Sequence, residues 1–451
     1  MRPLFYLRES GFGGGDGGIG GGMRQRRRRA HGDRAKVSVV ETSPVRPSRV
    51  RVLVVTSLAH FTNDGMAFFI PVLAALLAAG HASSPVVITA MLTVFYLASA
   101  SFGVVVGLVA ATGPSRGRVM ALGLFVVALG LGGFVVALGS APGLGRDALA
   151  IASAIVAGVG GAVYHPVGGS ILQSTFGASA GRALGVNGSF GSLGRALYPT
   201  LFVAVTALAV SRDGAVAIFA GVGVASALVI VLTLGRVSSG EEPEAPVSPI
   251  ARPRLRSLFT RSVIALMVIA FLRSVAFIGV VSWMPIYLTS HRHLGVASLG
   301  LTVTIMYVGG IVGQPAFGLL ADRFDKRWML ALDSVGSALA TVAYVASSGA
   351  WATVFLLFFG FFTFSGFPLL LSLVPDYVAP ESHVMGNALV WGVGSTGGQA
   401  LGPLVVTLLT GGAYHRLGFA FTVLAGLAAL TAVGTPLLAR AARRGRVALF
   451  G

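Results

Sequence analysis

The chain of 451 residues contains no cysteine, so disulfides, thiolate metal sites and thiol chemistry are excluded. Charged residues are also scarce: Asp, Glu, Lys and Arg make up only 11% of the chain, against about a quarter in soluble proteins. So few charges cannot solvate the surface of a water-soluble protein of this length. The outer surface is therefore predicted to be apolar and to contact lipid.

Several functional classes lack their sequence signatures here. There is no P-loop and no glycine-rich loop after a strand, so neither an ATP-driven pump nor a nucleotide-binding enzyme is expected. The net charge of +18 comes from basic residues in short segments between apolar runs, where they act as orientation anchors. The sequence predicts no enzymatic activity, no cofactor, no metal and no nucleic-acid partner.

Apolar runs of membrane-spanning length recur along the chain. A spanning helix needs about 20 apolar residues, and barrel strands are far shorter. Trp283 and Tyr287, near the outer end of the seventh run, are expected to join an aromatic belt at the membrane surface. The sequence predicts an all-α membrane protein with twelve transmembrane helices, near residues 50–78, 85–110, 118–140, 148–172, 183–210, 214–235, 261–289, 297–320, 328–347, 351–374, 384–410 and 416–439.

A polar gap rich in glutamate and proline divides these helices into two sets of six. This composition predicts a flexible linker between two halves. The predicted segments are a disordered basic Gly- and Arg-rich cytoplasmic tail at 1–48, a six-helix half at 49–235, a cytoplasmic linker at 236–260, a second half at 261–439 and a basic cytoplasmic tail at 440–451.

The distribution of basic residues predicts the orientation in the membrane. With the N-terminus inside, the cytoplasmic segments hold 27 Lys and Arg residues, and the external loops hold four. Cytoplasmic loops normally carry the excess of basic residues. Both termini are therefore predicted to be cytoplasmic, in a multi-pass protein of the plasma membrane.

The two halves resemble each other in sequence. Residues 194–199 are GRALYP and residues 398–403 are GQALGP, while the His-Pro pair at 165–166 corresponds in position to the Phe-Pro pair at 367–368. An internal repeat of this kind predicts two pseudo-symmetric six-helix halves. In such transporters the substrate site lies where the halves meet.

A charged motif follows the eighth predicted helix, where Gly318 precedes Asp322, Arg323 and Arg327. It resembles the signature loop of the major facilitator superfamily, which implies the major facilitator fold and alternating access. Gly318 is expected to permit close helix contact, and the three charged residues to act in a cytoplasmic gate. The alternative is an ordinary topology anchor. The corresponding first-half loop at 107–116 lacks the Asp-Arg pair.

A second resemblance rests mainly on the first half of the chain. His60, Asn63 and Asp64 in the first helix, the Tyr-His-Pro of 164–166 and the glycine-rich stretch 188–194 resemble the fosmidomycin-resistance branch of that superfamily. The resemblance implies multidrug or small-anion efflux that is typically driven by protons.

His60, Asn63 and Asp64 are spaced i, i+3 and i+4, so they share one helical face. A charged side chain within a membrane is costly and usually functional. Asp64 is the only acidic residue placed well inside a span, with Asp333 expected near the cytoplasmic end of the ninth helix. Asp64, His60 and His165 are candidate proton-coupling residues; the alternative is a structural network.

The fifth and seventh helices each contain an intramembrane arginine. Arg195 is the expected partner of Asp64 in one state or of an anionic solute in another. Arg273 is a candidate for binding, for gating or for a structural role. His165, ahead of a proline, is a candidate to bind substrate, carry a proton or satisfy freed backbone groups.

Polar residues also form stripes at four-residue spacing in the fifth and eleventh helices. Such stripes indicate either cavity walls or hydrogen bonds between helices. The predicted substrate cavity comprises Asn63, Asp64, His165, Asn187, Arg195, Arg273, Trp391, Ser395 and Gln399.

These observations predict a monomeric secondary active transporter that exports small organic, anionic or drug-like molecules with proton coupling. One acidic group against two arginines and two histidines favours anions. An uptake symporter or facilitator for organic anions is the alternative within transport. A transport-inactive membrane sensor or scaffold is the alternative from another class.

Overall fold

In this computed structural model, the structure describes residues 48–79, 82–112, 115–176, 180–208, 210–235, 259–378, 386–387 and 389–440. These residues form twelve long helices and no strand, which confirms the predicted all-α membrane fold. Apart from a few residues at their edges, the predicted tails and linker lie outside the described ranges.

The first half contains α1 Arg49–Ala78, α2 Pro85–Thr112, α3 Arg116–Gly139, α4 Leu144–Phe176, α5 Ala180–Ala207 and α6 Arg212–Leu234. The second half contains α7 Arg261–Ser290, α8 Val296–Arg323, α9 Lys326–Ala346, α10 Gly349–Leu373, α11 and α12 Leu417–Gly434. Helix α11 consists of the π-helical segment Leu389–Thr396 and the α-helix Gly397–Thr410. Single-turn π segments are frequent at functional sites.

Ten of these helices are long and apolar enough to cross a membrane. The two others in the described part of the chain are α5 and α11, which contain the GRALYP and GQALGP repeats. Both helices carry polar side chains along one face, among them Asn187 and Arg195 in α5 and Gln399 in α11. Polarity of this kind is tolerated where a helix faces protein or a water-filled cavity.

The repeat glycines show the pseudo-symmetry in atomic detail. A Cβ atom at Gly194 would collide with the backbone of Phe61 in α1, and one at Gly398 would collide with the backbone of Phe271 in α7. Each glycine therefore allows the fifth helix of its half to pack directly against the first. The two six-helix halves are pseudo-symmetric, as the repeat predicts.

The halves are joined on the side of the membrane at which α1 ends. A set of side-chain hydrogen bonds crosses the interface there, and we call it the hydroxyl seam. Its four bonds connect Thr89 with Thr407, Thr200 with Thr304, Thr304 with the carbonyl oxygen of Ala196, and Ser282 with Tyr96. Toward the opposite side, Val186 and Phe190 of α5 and Val312 of α8 are exposed.

The expected aromatic belt position of Trp283 and Tyr287 is wrong. Both side chains are almost completely buried, because α7 packs inside the bundle against α11, α12 and α1. The indole Nε1 of Trp283 donates to the carbonyl oxygen of Pro403, and the ring of Tyr287 packs on Phe421. Apolar helices give the same pattern whether they face lipid or protein, so hydropathy alone did not separate the two cases.

Candidate functional site

Asp64 is the centre of a buried charged cluster between α1, α4 and α5. Its side chain is only 1% exposed, and its Oδ2 lies 2.5 Å from Nη1 of Arg195. Asn63 donates from Nδ2 to Oδ1 of the same carboxylate at 3.1 Å. Arg195 also donates from Nη2 to the hydroxyl of Ser192, one turn earlier in α5, at 2.8 Å. A carboxylate inside a membrane is thus held by an arginine on a neighbouring helix.

His60 lies one turn before Asp64, and acceptor groups face both of its ring nitrogens. Nδ1 lies 2.9 Å from both the backbone oxygen and Oδ1 of Asn187, so this nitrogen must carry a hydrogen. Nε2 lies 3.3 Å from Oδ2 of Asp64. An imidazole that donates from Nδ1 can donate from Nε2 only when it is protonated. In the structure Nε2 makes no hydrogen bond, and one proton placed on either His60 or Asp64 would make its contact with the carboxylate attractive.

His165 forms the accessible side of the cluster. Its Nε2 lies 3.5 Å from Oδ1 of Asp64, yet its side chain is 52% exposed while Asp64 is enclosed. The neighbouring Tyr164 donates to the carbonyl oxygen of Thr56 at 2.7 Å and shares a hydrogen bond with Asn187. The cluster therefore has a buried carboxylate, a buried imidazole and an imidazole that open space reaches.

His60, Asp64 and His165 have ligand atoms within 4.8 Å of one another, and they are the described residues best placed to hold a metal ion. The Arg195 guanidinium already occupies Oδ2 of the carboxylate. A divalent cation would have to bind next to this fixed positive charge. The arrangement is better suited to a proton and to an anion than to a metal.

Two aromatic rings lie against the guanidinium of Arg195. Its Cζ lies 5.2 Å from the ring centroid of Phe68 in α1 and 5.8 Å from that of Phe364 in α10. Tyr307 of α8 contacts both rings. Sequence reasoning missed these three residues, because aromatic side chains are common throughout apolar helices and carry no spacing signal.

Arg273 pairs with Asp333, 60 residues away in the sequence. Two of its nitrogens lie 3.0 and 2.6 Å from Oδ2 of Asp333, and Nη2 also donates to the carbonyl oxygen of Thr363. The expectation that Asp333 lies near a helix end is wrong, because Asp333 is the eighth residue of α9 and fully buried. In this conformation, Arg273 ties α7, α9 and α10 together within the second half.

The predicted polar stripe in α11 contains Trp391, Ser395 and Gln399, and these residues fall into two groups. The hydroxyl of Ser395 lies 3.0 Å from that of Ser274 in α7 and accepts from Nε2 of Gln399 at 3.2 Å. These two residues thus make hydrogen bonds within and between helices. Trp391 remains partly exposed, and its ring lies 5.4 Å from that of Phe367.

The predicted gating loop joins α8 to α9. A Cβ atom at Gly318 would meet nothing within 4 Å, so the close contact expected there is absent in this conformation. Arg323 is exposed, and the side chain of Asp322 lies outside the described part. Arg327 forms an ion pair with Asp325, with Nη2 2.7 Å from Oδ2. Hydrogen bonds from Arg327 hold the pKa of Asp325 below its ordinary value.

Comparison with known proteins places the chain among transporters. It matches the model of the Major Facilitator Superfamily over residues 53–403, with a second match over 288–448. It is 31% identical over 166 residues to an uncharacterized protein of Archaeoglobus fulgidus, covering 36% of this chain and 75% of that protein. It is also 31% identical over 140 residues to the glucose-6-phosphate exchanger SLC37A1 of Mus musculus, covering 28% of this chain and only 26% of the exchanger.

A solved structure supports the same architecture. A variant of the nucleoside transporter NupG matches with a TM-score of 0.71 at 13% sequence identity, over 85% of this chain and 99% of that chain. At this level of identity the likeness concerns the fold. The resemblance to the fosmidomycin-resistance branch stays a prediction.

Proposed function

The chain belongs to the Major Facilitator Superfamily, and on this basis we propose that it is a proton-coupled secondary transporter of small organic anions that works by alternating access. Asp64 would carry the coupling proton, with His60 and His165 as its partners. Arg195 would bind the anion. The observation that carries the proposal is the enclosed contact between Asp64 and Arg195, with His165 reaching open space beside it.

The charge balance of the cluster supports an anionic solute. One carboxylate faces one guanidinium and two imidazoles, so the cluster has no more negative than positive charge in any of its protonation states. An anion that approaches His165 meets hydrogen-bond donors, and it meets a positive potential whenever Asp64 or one of the histidines is protonated. The similarity to a glucose-6-phosphate exchanger over 140 residues points to the same class of solute.

The proposed cycle depends on competition for Arg195. While Asp64 is ionised, its carboxylate occupies the guanidinium. A proton on Asp64 weakens this pair and frees Arg195 for an anionic group of the solute. Proton and anion would then bind together, and rocking of the two halves would expose both to the other side.

Export by proton exchange is the direction that the sequence resemblance implies. The competition for Arg195 favours uptake by proton–anion symport, because it makes the proton and the anion bind together, and we propose symport on that ground. An exporter driven by proton exchange would instead need the two ligands to exclude each other. The two mechanisms predict opposite effects of pH on anion affinity.

Purified protein in proteoliposomes tests the proposal, with glucose 6-phosphate and a panel of small carboxylates and phosphonates as solutes. An imposed pH gradient should drive accumulation of at least one anion in the wild-type protein. Asp64→Asn should abolish this accumulation and leave anion exchange measurable. Full proton-driven accumulation by Asp64→Asn would refute the coupling role of Asp64.

Binding measurements at different pH values separate the two directions. Symport predicts tighter anion binding at low pH, and exchange-driven export predicts weaker binding. If no anion is transported or bound at any pH, the transport-inactive sensor or scaffold becomes the better explanation.

A further inference from the structure

Arg195 contacts both halves of the protein. Its own helix belongs to the first half, and the guanidinium lies 5.2 Å from the Phe68 ring of the same half. The Phe364 ring, at 5.8 Å from the guanidinium, belongs to the second half. A guanidinium over an aromatic ring is attracted by the negative face of the ring, most strongly where water is excluded.

Phe364 belongs to a group of three rings that we call the aromatic box: Phe68, Phe364 and Tyr307, whose ring packs on the other two. The Tyr307 ring lies 5.9 Å from Phe68 and 5.2 Å from Phe364. Phe364 is only 3% exposed and also packs on Phe277 at 5.2 Å. Two of the three rings of the aromatic box therefore belong to the second half and one belongs to the first.

The box is adjacent to the hydroxyl seam. Thr304, one turn before Tyr307 in α8, donates to the carbonyl oxygen of Ala196, the residue after Arg195. When the halves part at this level, α8 and α10 must move away from α5 and take Tyr307 and Phe364 with them. The Phe364 ring therefore lies against Arg195 when the hydroxyl seam is closed and moves away from it when the seam is open.

We propose that Phe364 is a positioning residue for proton coupling, whose ring holds Arg195 against Asp64 while the seam is closed and releases it when the seam opens. The inference rests on the proposed function and adds a link between the closure of the hydroxyl seam and the protonation of Asp64. Loss of the ring lets the guanidinium move away from the carboxylate and lets water screen the pair. Asp64 then holds its proton up to a higher pH.

Other groups near the pair must be considered in any pH profile. Asp64 is faced by His60 on α1 and by His165 on α4 and Arg195 on α5, while Tyr164 on α4 stacks on His60 and interacts electrostatically with Asp64. Helix α8 contributes Tyr307 beside Arg195, and α10 contributes Phe364, which does not titrate. A change at position 364 therefore acts on the pH profile through Arg195.

Two substitutions at position 364 test the inference. Phe364→Leu removes the ring, and trifluorophenylalanine at the same position keeps its shape while weakening its negative face. The matched control is Phe317→Leu, because Phe317 is 1% exposed and packs on Phe361 and Phe362 of its own half. The measurements are the pH midpoint of proton-driven anion accumulation and the rate of anion exchange in proteoliposomes.

Both changes at position 364 should raise the pH midpoint by about half a unit to one unit, with exchange within about threefold of the wild-type rate. Phe317→Leu should leave the midpoint unchanged. An unchanged midpoint with trifluorophenylalanine, or an equal shift with Phe317→Leu, overturns the inference. Asp64→Asn measured in parallel separates this failure from failure of the proposed function, because only the latter leaves that variant proton-driven.

Discussion

Gly191 of α5 lies directly against the imidazole ring of His60 in α1. A Cβ atom at position 191 would collide with three atoms of that ring, whereas one at Gly188, one turn earlier on the same helix, would meet nothing within 4 Å. The glycine therefore leaves the space in which His60 contacts Asn187 and Asp64. This relationship makes the backbone of α5 a part of the proposed proton site, beside the side chains of Asn187 and Arg195 on the same helix.

Gly191→Ala should accordingly displace His60 and impair coupling. We expect proton-driven accumulation to fall at least tenfold while the protein still folds and exchanges anion, because small misplacements at a reacting centre are costly. Gly188→Ala is the matched control and should transport at the wild-type rate. Proteoliposome accumulation with both variants provides the measurement, and equal activities would argue against the packing role.

Arg195→Ala should weaken anion binding, since the solute loses its only proposed guanidinium partner. Charge-assisted hydrogen bonds contribute about 1.5 to 3 kcal/mol, so we expect affinity to drop by about tenfold to a hundredfold. Binding of the best transported anion, measured calorimetrically with the purified protein, tests this. Arg273→Lys is not a suitable control, because Arg273 is held by Asp333; Arg292→Ala, remote from the cluster, is preferable.

Thr304→Val should loosen the hydroxyl seam without changing side-chain size. Thr304 takes part in two of the four seam bonds, and their loss, at about 1 kcal/mol each, would shift the ratio of the two conformations about thirtyfold away from the seam-closed state. Thr302→Val is the control, because the Thr302 hydroxyl bonds only within α8, to the oxygen of Ser298. Because the chain has no cysteine, spin labels can be introduced cleanly at Val186→Cys and Val312→Cys.

The distance between these labels should shorten in Thr304→Val and stay unchanged in Thr302→Val. The exposed ends of α5 and α8 approach each other when the opposite side opens. An unchanged distance distribution in both variants would show that the seam does not hold the conformation.

Asp325→Ala should destabilise the protein at the start of α9. Asp325 is the N-cap residue, accepts from the backbone nitrogen of Arg327 and pairs with its guanidinium. An N-cap contributes about 0.5 to 2 kcal/mol, so we expect the melting temperature of the detergent-solubilised protein to fall by about 1 to 3 °C. Asp325→Asn keeps the cap and should recover most of this loss.

The remaining difference between wild type and Asp325→Asn should depend on pH. Because hydrogen bonds from Arg327 lower the pKa of Asp325 in the folded state, its ionic contribution is fully present above the ordinary value of 3.8. It is lost as pH falls through the lower folded value. The difference in melting temperature should therefore be constant between pH 8 and pH 5 and should shrink below about pH 4.

Part of the Asp64 cluster could be predicted from the sequence, because the spacing of its residues within α1 is a local signal. The i, i+4 spacing of His60 and Asp64 places both on one face of α1, and the cost of a buried carboxylate requires a cationic partner, which Arg195 provides. The depth of Asp333 was misjudged, because hydropathy places the start of α9 only approximately. Its pairing with Arg273 could not be predicted either, since no periodicity shows that α7 and α9 lie side by side.

The aromatic box shows a second reason why the sequence could not predict the whole site. Phe364 lies in a run where phenylalanine occupies many positions, and burial in lipid and burial against arginine favour the same side chain. The twelve helices, by contrast, follow from the length of the apolar runs, since a bilayer imposes a minimum length on any spanning helix.

The hydroxyl seam sets the affinity difference that a solute must have between the two conformations to be transported and not only bound. Four hydrogen bonds of about 1 kcal/mol each amount to about 4 kcal/mol, which corresponds to about a thousandfold ratio in affinity. A solute must prefer the seam-open state by about that factor to make the two states equally populated. An anion that binds both states equally leaves the protein mainly in the seam-closed state however tightly it binds, so tight binders from the solute panel that are not transported are candidate inhibitors.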